Sequence, residues 1–433
     1  MPEDAAAIPG DPNNALDAQK RERATILALL AMLFYQGFAV SIIAIASPWI
    51  GTSFNLDGTG IARLFAWISI SSLGALALSR MIDRFGRRRM ILWCIAAMPL
   101  CSLGTAAATN LIAFTVFQIA LYAVVGAAGA GCVVMLSEEL PIARRAHGQS
   151  IGGLASAVGA GVCVFLMPIF VAYGLSWRWM FVISAAGVAM LPAMARLLPE
   201  SERWERTDAE GINKRTNFYD VFQPLYRKRS ITMIICSFAA AVSTTAANAF
   251  GYYHAVSVVG LSAAATSTMT IVAGGIGLVG FPLGAWTAER FGRVPTVVSF
   301  GILITAGHLW FYWGPPTHFA WPLMWLATGY FWFNVCDNGA TVASNAAATE
   351  LFPTALRGTM IGWFALVSAI GAVISNAAVA ILATRMGGLS IVVGALSIVG
   401  IPAAILFGMV IDETRGMTLE MASKESEFHP PQQ

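Results

Sequence analysis

A single acid interrupts a long apolar stretch in the last third of the chain. In residues 330–342, YFWFNVCDNGATV, Asp337 lies between aromatic residues and small ones. A charged side chain at the centre of a bilayer costs about 2.5–3.5 kcal/mol on insertion scales, so intramembrane acids face a protein interior or a wet cavity. We therefore predict that Asp337 binds a coupled proton or a cationic group of a solute. The alternative is a structural carboxylate that hydrogen-bonds to Asn334, Asn338 or a hydroxyl.

Amides, phenols and hydroxyls occur at comparable depth in three other apolar stretches and around Asp337 itself. Such groups can hydrogen-bond a polar solute while aromatic faces cover its apolar parts. Phe333, Asp337 and Thr341 are spaced at i, i+4 and i+8, which predicts one helical stripe. His254, near the end of its stretch, is a second candidate for proton coupling. The predicted substrate-binding residues are Tyr35, Gln36 and Ser41; Gln118 and Tyr122; Asn248 and Tyr252; and Phe333, Asn334, Asn338 and Thr341.

The same stretches carry no arginine or lysine at their predicted midpoints. A dianion would then lack a charged partner, so a neutral, zwitterionic or cationic solute, or a weak aromatic acid, fits better. The sequence contains no HExxH, CxxC or P-loop motif, which argues against a metalloenzyme, a metal site and ATP-driven transport. We expect no cofactor, no metal and no nucleic-acid partner.

Composition indicates the elements that must position these residues. Of the 433 residues, 57% are hydrophobic and only 11% are charged, whereas soluble chains carry about 25% charged residues. Continuous apolar runs of about 20 residues are long enough to cross a bilayer as helices. Breaks in hydropathy predict an all-α membrane protein with twelve transmembrane helices. The predicted spans are 24–50, 58–80, 90–108, 111–137, 148–174, 177–198, 230–260, 264–287, 294–313, 319–349, 358–384 and 387–411.

The distribution of basic residues predicts the orientation. With both termini in the cytoplasm, all but three of the 26 lysines and arginines lie on that side or at that edge, as the positive-inside rule requires. The three exceptions are Arg63, Arg178 and Arg385. We therefore predict a multi-pass protein of a cell membrane with both termini in the cytoplasm. We expect this membrane to be a bacterial inner membrane and the protein to be monomeric in the lipid bilayer.

Three motifs return in the same order in the second half of the chain. IDRFGRRR (82–89) returns as AERFGRVP (288–295), EELPIARR (138–145) as ELFPTALR (350–357), and PESER (199–203) as DETRG (412–416). Such repeats predict two pseudo-symmetric six-helix bundles related by an axis along the membrane normal. The predicted divisions are a cytoplasmic tail 1–23, a bundle 24–198, a cytoplasmic linker 199–229, a bundle 230–411 and a cytoplasmic tail 412–433.

These motifs resemble those of the major facilitator superfamily, over residues 24 to 420. The D-R-x-G-R-R element, the E-x-x-P-x-x-x-R pattern and the terminal ETRGMTLE (413–420) are similar to those of its sugar-porter, aromatic-acid and organic-ion branches. The resemblance implies a cytoplasmic gate of ion pairs that holds the outward-facing state closed. Carboxylates and guanidinium groups at span edges can form such pairs. The predicted gate residues are Asp83, Arg84, Arg87, Glu138, Glu139, Arg145, Glu289, Arg290, Glu350 and Arg357.

The sequence also departs from the family pattern. Related proton-coupled symporters often carry D-G-[FY]-D in the first span, where this chain has Gln36, Gly37, Phe38 and Ala39. Tyr122 stands where many relatives have an arginine in the fourth span. An acid and its basic partner are thus missing together, which moves the expected proton coupling to Asp337. The function that follows is a secondary active transporter of a small organic solute, working by alternating access; the alternatives are an uncoupled facilitator or exporter and a non-transporting solute sensor.

Overall fold

The computed structural model describes residues 12–85, 87–139, 145–198, 219–314, 321–417, 421 and 423. Within these ranges the regular structure is helical, and no strand occurs. In the described residues, eleven helical segments are long and apolar enough to cross a membrane. The remaining one of the twelve predicted spans is the tenth, Pro322–Glu350, which has 29 residues but is more polar because it carries Asn334, Asp337 and Asn338. The predicted all-α fold is confirmed.

We number the spans in chain order. Spans 1 to 6 are Pro12–Ser53; Gly58–Ser69 with Ser71–Phe85; Arg87–Ala107; Leu111–Glu139; Arg145–Ala172; and Arg178–Ala185 with Ala186–Ala189 and Met190–Leu197. Spans 7 to 12 are Arg227–Tyr253 with His254–Val258; Ala263–Gly277 with Gly280–Arg290; Arg293–Trp313; Pro322–Glu350; Thr354–Leu382; and Leu389–Ser397 with Gly400–Val410. The helix of span 1 begins inside the predicted tail 1–23, while its apolar part, which is long enough to cross a membrane, is Arg23–Ser53. Residues 199–218 of the predicted linker lie outside the described ranges, and a single helical turn, Asp220–Phe222, precedes span 7.

The two halves repeat each other in the places where helices break. Span 2 is interrupted at Ile70 and span 8 at Leu278 and Val279, while span 6 is interrupted at 186–189 and span 12 at Ile398 and Val399. The helix pairs that pack together also correspond: spans 1 and 5 match 7 and 11, spans 3 and 4 match 9 and 10, and spans 3 and 6 match 9 and 12. Between the halves, span 2 packs on span 11 and span 5 on span 8. This is the twofold relation that the repeated motifs predict.

The turn between spans 1 and 2 shows how local chemistry starts a helix. The carboxylate of Asp57 accepts hydrogen bonds from the backbone N–H of Gly60, at 2.7 Å, and from the hydroxyl of Thr59, at 2.9 Å. This is an N-cap, which satisfies a backbone donor that the first helical turn leaves free. The Gly60 and Thr59 hydrogen bonds hold the pKa of this exposed carboxyl below its usual value.

Candidate functional site

A cavity of about 1160 Å³ lies between the two six-helix halves. We call the end of the bundle that is predicted to face the cytoplasm the inner end, and the opposite end the outer end. The cavity wall reaches the inner-end residues Met233 in span 7, Thr349 in span 10 and Phe407 in span 12. Small residues make up most of the wall, with many serines and threonines among them. The cavity can therefore admit a solute with several hydrogen-bonding groups from the inner end.

The outer end is sealed by side chains from both halves. The rings of Phe65 and Phe250 meet edge to face, with centroids 5.0 Å apart, and those of Trp49 and Tyr252 lie 6.3 Å apart. A hydrogen bond from Asn376 of span 11 to Ser69 of span 2 lies between the same halves. We call these three contacts the outer seal. The cavity thus opens at one end of the protein and is closed at the other.

Asp337 lies on the wall of this cavity and is half-buried. It makes no hydrogen bond and no ion pair with any side chain in the described part of the chain. Among the described residues that line the cavity it is the one charged group, and no lysine, arginine or histidine is among them. The structural alternative, a carboxylate held by Asn334 or Asn338, is not what the contacts show. Asn334 donates to the Tyr330 carbonyl, and Asn338 donates to the Gly277 carbonyl.

Tyr122 joins the first and fourth spans without a charge. Its hydroxyl donates to the carbonyl of Val40 at 2.5 Å, and both residues line the cavity. A hydrogen bond to a backbone oxygen thus connects spans 1 and 4, where related proteins are expected to use an acid and a base. Thr341 lies on the same cavity wall as Asp337.

A second, smaller pocket of about 350 Å³ lies between spans 1, 5, 8 and 10. Its wall contains three of the predicted substrate-binding residues, Gln36, Ser41 and Asn338. Ser156 of span 5 also lines it. Val40 contributes to both the pocket and the large cavity, so the two spaces adjoin there. The structure therefore places three predicted site residues on this pocket, and Tyr122, Asp337 and Thr341 on the neighbouring cavity.

Phe333 is not part of the predicted stripe on the cavity wall. Its side chain is 1% exposed and packs against His308 of span 9, with ring centroids 4.7 Å apart. Eight helical residues turn through about 800°, which leaves the first and last about 80° out of line. Span 9 covers the face that carries Phe333, while Asp337 and Thr341 face the cavity. Aromatic cover for a solute comes instead from Tyr122, Phe364 and Phe407.

The other predicted binding residues lie away from both spaces. Gln118 is buried between spans 3 and 4 and donates to Thr105 at 3.2 Å. Tyr35 is buried with its ring close to Gly187 of span 6. Asn334 lies against Gly277 of span 8. The remaining members are placed as follows: Asn248 is exposed on span 7, and Tyr252 belongs to the outer seal with its hydroxyl 3.0 Å from that of Ser267.

His254, the second proton-coupling candidate, lies in the π-helical turn that ends span 7. Its Nδ1 is 2.8 Å from the hydroxyl of Ser390, and its ring centroid is 4.9 Å from that of Tyr312. It is buried among aromatic rings at the outer end and does not line either space. The structure thus separates His254 from Asp337 and gives it a packing and hydrogen-bonding environment.

The predicted inner-end gate is described in part. The side chains of Asp83, Arg84, Arg87, Glu138, Glu139 and Arg145 lie outside the described set. Glu289 is exposed, and Arg290 lies over the Trp286 ring at 5.7 Å. Arg357 donates to the Phe352 carbonyl at 3.0 Å. Neither Arg290 nor Arg357 pairs with an acid in the described part of the chain.

Glu350 pairs with a residue outside the predicted set. Nη2 of Arg293 lies 3.0 Å from Oε1 of Glu350, and the hydroxyl of Thr414 donates to the other carboxylate oxygen. Glu413 caps span 9 by accepting from the backbone N–H of Arg293 and of Val294, each at 2.9 Å. All these contacts are within the second half, so the pair connects spans 9 and 10 and does not bridge the two halves.

The signal for this cluster is present in the sequence. Arg293 belongs to the repeated AERFGRVP segment, and Glu413 begins ETRGMTLE. Gly292 has φ of 112°, and a Cβ there would lie 2.4 Å from the Glu413 carboxylate, so only glycine fits. Gly292 therefore leaves room for the Glu413 carboxylate, and the backbone N–H of Arg293 donates a hydrogen bond to it.

Comparison with known proteins identifies relatives across most of the chain. A family model described as Major Facilitator Superfamily matches residues 27–376. A putative metabolite transport protein, YncC of Bacillus subtilis, is 34% identical over 179 residues, which cover 39% of this chain and 37% of that protein. A gentisate transporter of Corynebacterium glutamicum is 23% identical over 350 residues, covering 77% of this chain and 73% of that protein. The fold is similar to the inward-open conformation of the xylose transporter XylE from E. coli, with a TM-score of 0.70 and 19% identity over 93% of this chain and 98% of that one.

Proposed function

Because this chain belongs to the major facilitator superfamily, we propose that it carries a small organic acid together with a proton across the cell membrane by alternating access. Membership makes the chain a multi-pass membrane transporter of small organic solutes, not an enzyme. The proton coupling, the acid and the alternation of states are the parts that the proposal adds.

The observation that carries the proposal is the isolation of Asp337 on the cavity wall. An ionised carboxylate about 4 Å from the carboxylate of a solute is repelled by roughly 4 kcal/mol at an effective dielectric constant of 20. In the part of the chain that the structure describes, no basic residue lining the cavity offsets this repulsion. A proton on Asp337 removes it, so the solute and the proton enter the cavity together. Release of the proton on the other side then expels the solute.

The choice of an organic acid is supported by a relative. The Corynebacterium glutamicum protein, which aligns with 77% of this chain, is named a gentisate transporter. Gentisate carries one carboxylate and two ring hydroxyls. The serines and threonines of the cavity can donate hydrogen bonds to such hydroxyls or accept hydrogen bonds from them. The single carboxylate of gentisate is compensated by one proton on Asp337.

Alternating access is supported by the arrangement of the two halves. They are packed together by the outer seal and separated at the inner end by the cavity. Because the halves repeat each other, rocking one against the other can close the inner end and open the outer one. On the predicted orientation, the observed conformation faces the cytoplasm.

The experiment is transport of labelled gentisate in liposomes. With a pH gradient, acid outside, the parent protein should concentrate gentisate. Asp337→Asn cannot take up a proton, so it should keep gentisate exchange and lose accumulation. Asp57→Asn is the matched control, since Asp57 lies in the turn between spans 1 and 2, outside the cavity. Normal accumulation by Asp337→Asn would disprove the proton role, and binding without any counterflow would identify a sensor.

A second candidate is transport of a cationic solute with Asp337 as its counter-ion. The same absence of basic residues from the described cavity wall favours it. In that case Asp337→Asn should lose solute binding itself, because the neutral amide removes the charge-assisted contact. If Asp337 carries the coupled proton, the Asn variant loses accumulation but keeps exchange. If Asp337 is a counter-ion, the Asn variant loses solute binding.

A further inference from the structure

We propose that the smaller pocket is an uncharged subsite that binds the hydroxyl-bearing end of the solute whose acid group lies near Asp337. We call it the amide subsite and define it by Gln36, Ser41, Ser156 and Asn338. The inference rests on the proposed function, since it concerns the same solute, and it adds where specificity for that solute arises.

The free hydrogen-bonding capacity of Gln36 is the first support. Gln36 is half-buried, lines the pocket and makes no hydrogen bond with another described residue. Its amide lies directly on Gly129 of span 4, where a Cβ would be 2.1 Å from Oε1. The close backbone at Gly129 thus holds the amide in place while its donors and its acceptor stay available. A partly buried amide with no partner is costly unless a ligand or water binds it.

Two other residues that line the pocket, Asn338 and Ser41, have acceptors whose orientation is already set. Nδ2 of Asn338 donates to the Gly277 carbonyl at 3.1 Å, and Oδ1 of the same amide remains available as an acceptor. The hydroxyl of Ser41 donates to the Gly37 carbonyl at 2.8 Å, so its oxygen is left as an acceptor. The pocket lining thus combines two acceptors with an amide that can both donate and accept, a set that suits a hydroxyl group. No charged residue is among the lining residues of the pocket that the structure describes.

The pocket and the cavity can be occupied by one molecule. Asp337 and Asn338 are consecutive in a helix, so their side chains diverge by about 100°. The first faces the cavity and the second faces the pocket, and Val40 borders both. A flat ring can therefore extend past Val40 with its carboxylate toward Asp337 and its hydroxyls in the pocket, where Leu278 and Phe281 provide apolar contact.

The subsite also joins the two halves through the solute. Gln36, Ser41 and Ser156 belong to the first half, while Asn338 belongs to the second. A hydroxyl bound between them contacts both bundles, whereas benzoate, which has no ring hydroxyl, cannot. A site built to bind a hydroxyl discriminates against an analogue without one because its polar groups are then left unpaired.

The test compares gentisate with benzoate on the purified, full-length protein by isothermal titration calorimetry at acidic pH. Gln36→Leu should raise the Kd of gentisate about tenfold, the loss of roughly 1.4 kcal/mol, and should leave the Kd of benzoate within about twofold. Gly129→Ala should act in the same direction, because its methyl group displaces the Gln36 amide. Gln223→Leu makes the same chemical change outside both spaces and should alter neither Kd.

The outcomes separate the two proposals. Equal weakening of both probes by Gln36→Leu, or an unchanged gentisate Kd, would overturn the amide subsite even where the parent concentrates gentisate with protons. A parent protein that binds neither probe would overturn the organic-acid proposal, and the subsite with it. Selective loss for gentisate in both variants supports the subsite.

Discussion

One hydrogen bond across the outer seal should set the balance between the two states. Nδ2 of Asn376 in span 11 donates to the hydroxyl oxygen of Ser69 in span 2 at 2.7 Å. That hydroxyl in turn donates to the Phe65 carbonyl at 2.8 Å, so its proton and its oxygen are both used. Asn376 is 3% exposed, and the bond joins opposite halves. It can exist only while the outer ends are together.

The size of the effect follows from this geometry. A hydrogen bond of this kind contributes about 1 kcal/mol net, and a change of that size alters an equilibrium constant about fivefold. Asn376→Ala should therefore reduce the ratio of outer-closed to outer-open molecules about fivefold. Oδ1 of Asn376 has no hydrogen-bond partner among the described residues, so the alanine variant also removes a buried unsatisfied oxygen and the observed shift should not exceed this value.

Spin labels at Thr52 and Met386, exposed at the outer end of each half, report the opening. Double electron–electron resonance should show a larger long-distance population in Asn376→Ala than in the parent. Ser375→Ala is the matched control, because the Ser375 hydroxyl donates to the Val242 carbonyl at 2.7 Å within the second half. An equal shift in both variants, or no shift in Asn376→Ala, would refute the reasoning. Ser69→Ala added to Asn376→Ala should produce little further change, since both remove the same contact.

Two further predictions concern the helix caps. Glu413→Gln should lower the stability of the protein in detergent by about 1 kcal/mol, because a charge is lost at the N-terminus of span 9. Thermal unfolding measures this loss, and the control Glu289→Gln, at an exposed position, should have no effect. Equal unfolding temperatures for Glu413→Gln and the parent would contradict the capping role. The pKa of Asp57 is lowered by the Gly60 and Thr59 hydrogen bonds, so its stabilising contribution is present above the unfolded-state pKa and is lost as the pH falls through the lower folded-state value, below about pH 4. Asp57→Asn should therefore show a smaller loss of thermal stability between pH 5 and pH 3 than the parent, and an identical pH dependence would disprove this cap.

The inner-end cluster shows why motif positions alone did not identify the ion pair. The sequence predicted a gate of ion pairs at span edges without assigning partners, and Glu289 and Arg290 are consecutive in one of its motifs. In a helix, neighbouring residues diverge by about 100° and do not face each other. Glu350 instead meets Arg293, which is 57 residues away in the chain. Only the packing of span 9 against span 10 decides that contact.

The sequence by itself determined the class of the protein, its helices and the two related halves, and it singled out Asp337 as a candidate site residue. These depend on composition, on the length of apolar runs and on repeated motifs, all of which are local or additive along the chain. An isolated acid in an apolar helix has to face a polar space, whatever surrounds it. That is why Asp337 could be singled out before any contact was known.

The tertiary structure alone decided which polar neighbours share that space. Phe333, Asn334, Asp337 and Asn338 lie within two turns of one helix, yet they face span 9, span 8, the cavity and the smaller pocket respectively. Each face is covered by a helix that is distant in sequence, so no periodicity within span 10 specifies its partner. Gln118 shows the same limit, because its amide meets Thr105 of span 3 instead of a solute. The depth of a residue in the membrane follows from its position within an apolar run of the sequence. The groups that its side chain contacts depend on the helices packed around it.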